Sequence, residues 1–398
     1  EGMASRTRAI WDDAFTAYNF GRDHPMAPVR LDLTTRLARA LGVLDDVEVV
    51  APDPATDDEL LLAHDADYIA AVKRASENPA LADPRRGLGT DDDPAFAGMH
   101  EASARIAGGT LALARALHAG EIDHGVNYCG GMHHAMRTHA AGFCIYNDAA
   151  IAIQWLLDQG VERVAYVDID VHHGDGVERI FWNEPRVMTI SVHETGRALF
   201  PGTGWPADIG GRDARGSKVN VALPPTTNDA HWLRAIDAIV PPLVHAFRPQ
   251  VLVTQHGCDT HIDDPLAHFS ISLDAQRRAH ESMHHLAHEV TGGKWLALGG
   301  GGYEVVDVVP RSWTHLTAIA AHRPVPVETE VPAEWRAHVE ALFGRPGPKR
   351  MGDLPAENLP IWVRPWAMGH NPDNAHDRAV MTTREAVFPH HGLDPWFD

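Results

Sequence analysis

YVDIDVHHGDGVE, residues 166 to 178, is where the fold of this chain becomes readable. Taken back to Val164, its first half is a run of strand formers, and it breaks abruptly into Asp, His and Gly. A short apolar run with no polar alternation reads as a strand buried on both faces, the signature of a parallel sheet. The same pattern recurs along the chain. Val126 to Cys129 runs into GGMHHAM (130 to 136), Val187 to Val192 into HETG (193 to 196), Val251 to Thr254 into QHGCD (255 to 259), and Trp295 to Leu298 into GGGGY (299 to 303). Val219 to Leu223 is a further run of this kind. Between them, Glu101 to Ala119 and Asp274 to Val290 carry apolar residues at helical spacing; in the second these are Ala279, Met283, Leu286 and Val290. Strands alternating with helices predict an α/β fold with a mainly parallel sheet. In such sheets ligands bind outside the carboxyl ends of the strands, so five loops rich in Gly, His and Asp are expected to converge on one edge.

The bulk properties narrow the function. With 398 residues the chain fits two or three domains, or one large α/β domain with an extension. A hydrophobic content of 44% and a charged content of 22% are those of a globular protein. The net charge of -20 disfavours nucleic acid and anionic membranes and favours cationic substrates such as lysine-rich segments or polyamines. Cys129, Cys144 and Cys258 have no C-x-x-C spacing and suit a reducing cytoplasm. No apolar stretch approaches the roughly 18 residues of a membrane span. Glu1 and Gly2, ahead of Met3, read as a cloning remnant. After about residue 322 the pattern changes to HRPVPVETEVP and a tail with Trp335, Trp362, Trp366 and Trp396. Their apolar area predicts an extension wrapped on the preceding domain, with the tryptophans packed inward.

Asp170 and His172 stand two apart at a strand end, where alternation puts both side chains on one side of the backbone. With Asp259 as a third ligand they leave coordination positions open, as a catalytic metal requires. D-x-H alone is more often a capped strand end; its company changes the reading. His133 and His134 share a Gly-rich turn, and Asp168 and Asp175 are the carboxylates that would fix their tautomers, giving a proton-transfer apparatus beside the metal. Tyr303 is placed to offer its hydroxyl to a polarised carbonyl. The glycines before it lack the Lys-Ser/Thr of a phosphate loop. His193 and His256 read as structural histidines, and Cys144 and Cys258 as packing residues. His284, His285 and His288 read as a solvated helix face and not as metal ligands.

GGMHHAM, AGFCIYNDAAIAI (141 to 153), YVDIDVHHGDGVE, LFPGTG (199 to 204), QHGCDTHIDDPLAHFSIS (255 to 272) and LALGGGGY (296 to 303) together resemble the histone deacetylase family, in this order and over most of residues 10 to 320. HETGR, HGCD and DPLAHFS look more like its bacterial acetoin-utilisation (AcuC-type) branch. The resemblance implies an arginase-like α/β fold, about eight mainly parallel strands flanked by helices on both faces. Residues 1–322 would form the catalytic domain and 323–398 the extension. Asp170, His172 and Asp259 would hold Zn²⁺, or Fe²⁺ or another divalent ion. His134 would be the general base and acid, His133 its electrostatic partner, Asp168 and Asp175 their orienting carboxylates, and Tyr303 the carbonyl polariser.

The resemblance also implies that Phe143 and Phe200 wall an acyl-lysine tunnel beside Leu266. The Gly142 carbonyl would accept the substrate N–H, Gly301 would belong to the binding site, and Arg30 would line an acetate-release cavity. Asp92 matches a rim aspartate, although GTDDDP (89 to 94) admits a one-residue shift. A structural K⁺ is implied near Asp168, Asp170, His172, Ser191 and Val192. Leu199-Phe200 departs from the two aromatics of many nuclear enzymes, and Arg197 and His261 are additions expected near the rim. The implied reaction is hydrolysis of an acetyl amide, on protein acetyl-lysine with release of acetate; acetyl-CoA synthetase is the implied protein target. An acetylpolyamine hydrolase is the rival within the fold, and a non-catalytic acyl-lysine reader the rival outside it.

Overall fold

Eight strands, β1 (Thr7–Ile10), β2 (Glu48–Val50), β3 (His124–Asn127), β4 (Val164–Asp168), β5 (Val187–Glu194), β6 (Lys218–Leu223), β7 (Val251–Gln255) and β8 (Trp295–Leu298), form one sheet in the computed structural model, which describes residues 6–398. Glu1 and Gly2 therefore lie outside the described residues. The order is β2-β1-β3-β8-β7-β4-β5-β6, and every neighbouring pair is parallel. β4, β7 and β8 are buried at every position, as strands covered on both faces must be. At the opposite extreme, the edge strand β2 has Glu48 and Val49 exposed.

Helices cover the sheet. Met99–His118 packs on Asp148–Asp158, and Val309–Ala320 packs against both Val29–Ala40 and Leu273–Thr291. Local chemistry sets their starts: Asn147, Asn228 and Ser272 each cap a helix by accepting a backbone N–H with the side chain. None of the helices among the described residues is long and apolar enough to cross a membrane.

Beyond residue 322, Val331, Trp335, Val339 and Met351 close over Leu33, Leu37 and Val306 in a small second core. The Trp335 indole N–H donates to the Leu33 carbonyl at 3.0 Å. The helix Ala375–Val387 lies against β6, where the Thr383 hydroxyl donates to the Asn220 carbonyl at 2.6 Å. Trp366 sits half-buried under the guanidinium groups of Arg234 and Arg384, 4.6 and 5.2 Å from its ring. The expectation that the tail's tryptophans turn inward fails for Trp362 and Trp396, which stay 69% and 55% exposed. Around Trp362 the chain alternates, with Ile361 and Val363 against the core and the indole between them facing out.

Candidate metal and active site

β4 and β7 are neighbours in the sheet, and the loops leaving their carboxyl ends carry Asp170 and His172 from one and Asp259 from the other. One ligand atom from each lies within 4.8 Å of the other two. The His172 Nδ1 is 3.0 Å from Asp259 Oδ2 and 3.4 Å from Asp170 Oδ1. All three side chains are buried. Burial, and then the charge of Asp170, push the Asp259 carboxyl up to about 6. Burial alone would lower His172, yet its hydrogen bonds to Asp170 and Asp259 carry it up to about 10. Two carboxylates crowded out of water around one imidazole form an anionic pocket that a cation relieves.

The backbone is shaped for that pocket. The Gly301 N–H donates to Asp170 Oδ2 at 2.9 Å, and a Cβ on Gly301 would stand 2.0 Å from Asp259 Oδ2. Only glycine allows this approach. Two carboxylate oxygens and one imidazole nitrogen suit a zinc-like divalent ion and leave positions free. Gln255 belongs to the same constellation although sequence reasoning did not single it out. Its amide donates to Asp170 Oδ2 at 3.0 Å and to the Gly131 carbonyl at 3.1 Å. A lone amide ending a run of apolar strand residues was the available signal.

The loop after β3 delivers the histidine pair. The His133 Nδ1 lies 2.6 Å from Asp168 Oδ2, and the His134 Nδ1 lies 2.6 Å from Asp175 Oδ1. Each carboxylate accepts from Nδ1–H and so leaves Nε2 for chemistry. Asp168 also accepts from the Tyr166 hydroxyl at 2.7 Å. The two imidazoles, 4.1 Å apart between centroids, are driven in opposite directions. Burial lowers His133, but Asp168 and Asp170 outweigh it and raise the ring to about 9. Burial and then His133 hold His134 down at about 4.

A cavity of about 190 Å³ leads in from the surface, lined by Asp92, His134, Gly142, Phe143, His172, Leu199, Phe200, Leu266 and Tyr303. The Tyr303 ring meets Phe143 edge-on at 5.7 Å, and Phe200 meets His134 edge-on at 5.1 Å. Leu199 thus occupies the wall beside Phe200. Gly142 has φ +53°, and a Cβ there would come within 2.4 Å of His134 Cδ2. The Gly142 carbonyl accepts a weak bond from the Cys144 thiol at 3.4 Å. A larger hollow of about 470 Å³ lies behind Asp175, bordered by Met136, His139, His173 and Trp182, but it contains none of the three ligands.

Phe143 has φ +70°, a true outlier for an aromatic residue. It is pinned on both sides: its N–H donates to Asp93 Oδ1 at 2.6 Å, and its carbonyl accepts from the Tyr18 hydroxyl at 2.5 Å. The two candidate aspartates in GTDDDP thereby separate. Asp92 is exposed at the cavity rim, and Asp93 is buried beneath Phe143, its carboxyl pushed up to about 7 by burial. Asp264, another residue missed from sequence, accepts the Tyr303 N–H at 2.9 Å and anchors that tyrosine's backbone.

Arg30 is buried, donates to the carbonyls of Gly300 and Gly302 at 3.0 Å each, and borders an internal hollow of about 10 Å³. That space has room for about one water. Asp168 and Ser191 face each other in register across β4 and β5, with Val192 next along the strand. The Ser191 hydroxyl lies 2.8 Å from the His193 Nδ1, and the His193 Nε2 donates to the Gly204 carbonyl at 2.9 Å. His256 is hydrogen-bonded in the core to Thr254 and His280. Arg197 is exposed. His261 is not a rim residue: it is 2% exposed, and its Nε2 sits 2.7 Å from Asp353 Oδ2 of the C-terminal segment. A histidine bound to a carboxylate and shielded by the tail has no face left for substrate.

Comparison with known proteins gives a consistent set of likenesses. A family profile described as "Histone deacetylase domain" matches residues 24–320. The acetoin utilization protein AcuC of Bacillus subtilis (strain 168) is 41% identical, over 82% of this chain and 84% of its own length. The protein of the same name from Staphylococcus aureus (strain MSSA476) is 39% identical, over 83% and 86%. Among solved structures, an HDAC homolog from Aquifex aeolicus superposes with a TM-score of 0.77 at 28% identity, covering 89% of this chain and 97% of that one. An HDAC homolog complexed with SAHA gives the same TM-score, identity and coverage.

Proposed function

This chain belongs to the histone deacetylase family, a deacetylase by descent, and we propose that it removes acetyl groups from the side-chain amine of protein lysines. The observation that carries this reading is the narrow aromatic cavity ending on His134, His172 and Tyr303. Its walls admit a slender alkyl chain, and its floor brings a proton acceptor, a hydroxyl donor and the carboxylate–histidine trio to one point.

Asp170, His172 and Asp259 would hold a zinc ion, or Fe²⁺ or another divalent ion. When bound, such an ion polarises the acetyl carbonyl and makes the attacking water more acidic. His134, oriented by Asp175, takes the proton from that water and returns it to the amine nitrogen as the amide C–N bond breaks. Tyr303 donates its hydroxyl to the carbonyl oxygen as negative charge develops there. His133, held by Asp168, supplies positive potential beside the same oxygen. Phe143 and Phe200 exclude water from the alkyl chain, Leu266 and Gly301 complete the pocket, the Gly142 carbonyl accepts the substrate N–H, and Asp92 grips the substrate backbone at the rim. Arg30 attracts the departing acetate. A K⁺ beside Asp168, Asp170, His172, Ser191 and Val192 would brace the loop after β4.

We extend the proposal to the setting. Residues 1–322 act as the catalytic domain and 323–398 as an extension packed on it. Three buried, unpaired cysteines support a reducing cytoplasm. Relatives bearing the acetoin utilization name support acetylated acetyl-CoA synthetase as a target. The test is a panel of acetyl-lysine peptides and acetylpolyamines offered to the purified protein. A kcat/KM at least about tenfold higher on the peptides, equivalent to 1.4 kcal/mol, supports the reading. The opposite order would make it a small-amide hydrolase, and turnover of neither would make it a reader.

A further inference from the structure

On the sheet edge opposite the catalytic loops stands a cluster that the deacetylase reaction does not use. His124 opens β3 at its amino end. His284 and His288 sit one turn apart on the helix Leu273–Thr291, and His322 follows the helix Val309–Ala320. One ring nitrogen from each lies within 4.8 Å of the other three. The solvated helix face expected from sequence is therefore wrong for His284, which is half-buried against Trp295 and His124.

The three Nε2 atoms of His124, His284 and His288 form a nearly equilateral triangle with sides of 3.1, 3.1 and 3.0 Å. Hydrogen bonds cannot satisfy such a triangle. Each Nε2 carries either one proton or one lone pair, so with one donor two lone pairs face each other, and with two donors two N–H groups do. Every choice of tautomers leaves at least one contact of like against like. An ion about 2.0–2.1 Å from each nitrogen, roughly 1 Å above their plane, removes the conflict by binding three lone pairs at once. Protonation does not remove it, because a protonated ring only turns a lone pair into another N–H and leaves like facing like.

Two further features point the same way. His124 is completely buried, and its Nδ1 has no hydrogen-bond partner, while its Nε2 meets only the Nε2 atoms of His284 and His288 at hydrogen-bond distance. His322 adopts φ +61°, a conformation most side chains avoid, and in it the ring stacks on His124 at 4.9 Å between centroids. Access exists, since an open groove bordered by Arg278, Ser282, His284 and His288 reaches the cluster from solvent. His285, in contrast, turns away to pair with Glu289.

We propose that His124, His284 and His288, with His322 as fourth ligand, form a second metal site for a zinc-class transition ion, separate from the catalytic centre. All-imidazole donors suit zinc, copper and nickel and reject magnesium and calcium. Bound there, the ion ties the end of one helix and the turn after another to the start of β3. This reading is independent of the deacetylase proposal.

The test is zinc stoichiometry on tag-free, full-length protein that has been stripped with chelator, reloaded with Zn²⁺ and dialysed, together with calorimetric Zn²⁺ titration. Wild type should retain two equivalents, His284→Ala/His288→Ala one, and Asp170→Ala one. The double variant should keep wild-type deacetylase kcat, and Zn²⁺ should still raise the melting temperature of Asp170→Ala. Since His288 is exposed, His288→Gln serves as the conservative check that folding is intact, and it should weaken the second equivalent at least about tenfold. One equivalent in wild type, or equal stoichiometry in wild type and the double variant, would overturn the proposal.

Discussion

Tyr303→Phe separates catalysis from architecture more cleanly than any other single change at this site. The ring's edge-on contact with Phe143 and the backbone bond from Tyr303 N–H to Asp264 both survive the substitution. Among the described residues no hydrogen bond engages the Tyr303 hydroxyl, so its removal strips no partner from the folded protein. The melting temperature should therefore stay within about 1 °C of wild type, since a change outside any bonded network costs under roughly 0.5 kcal/mol. Burial, then Asp259 and Asp170, hold the phenol well above its usual range, so it stays a proton donor at all working pH values. Loss of one donor to a developing oxyanion costs about 2.7–4 kcal/mol, which is a 10²- to 10³-fold fall in kcat. KM should hardly move, because the aromatic wall remains. Steady-state kinetics on an acetyl-lysine peptide, with zinc content measured in parallel, reads all of this. A fully metallated Phe variant with near-wild-type kcat would refute the role given to the hydroxyl.

Other expectations follow from the same geometry. Gln255→Ala should weaken zinc at the catalytic site about 10- to 100-fold, read by competition with a chromophoric chelator, because it removes one of the two donors that orient Asp170 Oδ2. Gly142→Ala should lose most activity yet keep its metal, since the added methyl would press on His134; unchanged turnover would argue against the tight fit. Asp353→Asn should destabilise the protein by about 2–4 kcal/mol in denaturant melts, as its carboxylate accepts from Arg311 and His261. Burial raises that carboxyl, but His261 and Arg311 outweigh it and hold it well below the usual range. Its contribution is thus complete above the unfolded value of about 3.9 and is lost as pH falls toward the folded one. The Asn variant should show a shallower loss of stability below about pH 4 than wild type. Truncation after about residue 325 should uncover Leu33, Leu37 and Val306 and increase dye binding and aggregation; a truncated protein as soluble and stable as the full chain would contradict this.

The strands that carry chemistry were legible because each couples an apolar run to a Gly/His/Asp spelling, as at Val164 to His172. β1 and β2 were not, because neither short run leads into a Gly/His cluster and β2 lies exposed at the edge. Asp170, His172, Asp259, His134 and Tyr303 announce themselves through residue type. Asp93, Asp264 and Tyr18 do not, since each acts on a backbone N–H or carbonyl whose position only the fold determines. The four histidines were hidden for a different reason. They come from a strand start, one helix face and the turn after another helix, and nothing in H-x-x-x-H reveals that a buried His124 lies against it.

The most direct measurement is acetate release from an acetyl-lysine peptide by protein stripped of metal and then reloaded, alongside Asp259→Ala treated identically. Stripped wild type should be inactive and should regain activity with one equivalent of Zn²⁺ or Fe²⁺ at the Asp170–His172–Asp259 site. Asp259→Ala should stay inactive at every metal concentration while remaining folded. Undiminished turnover after complete stripping, or full recovery of Asp259→Ala, would contradict a metal-dependent deacetylase centred on these three residues.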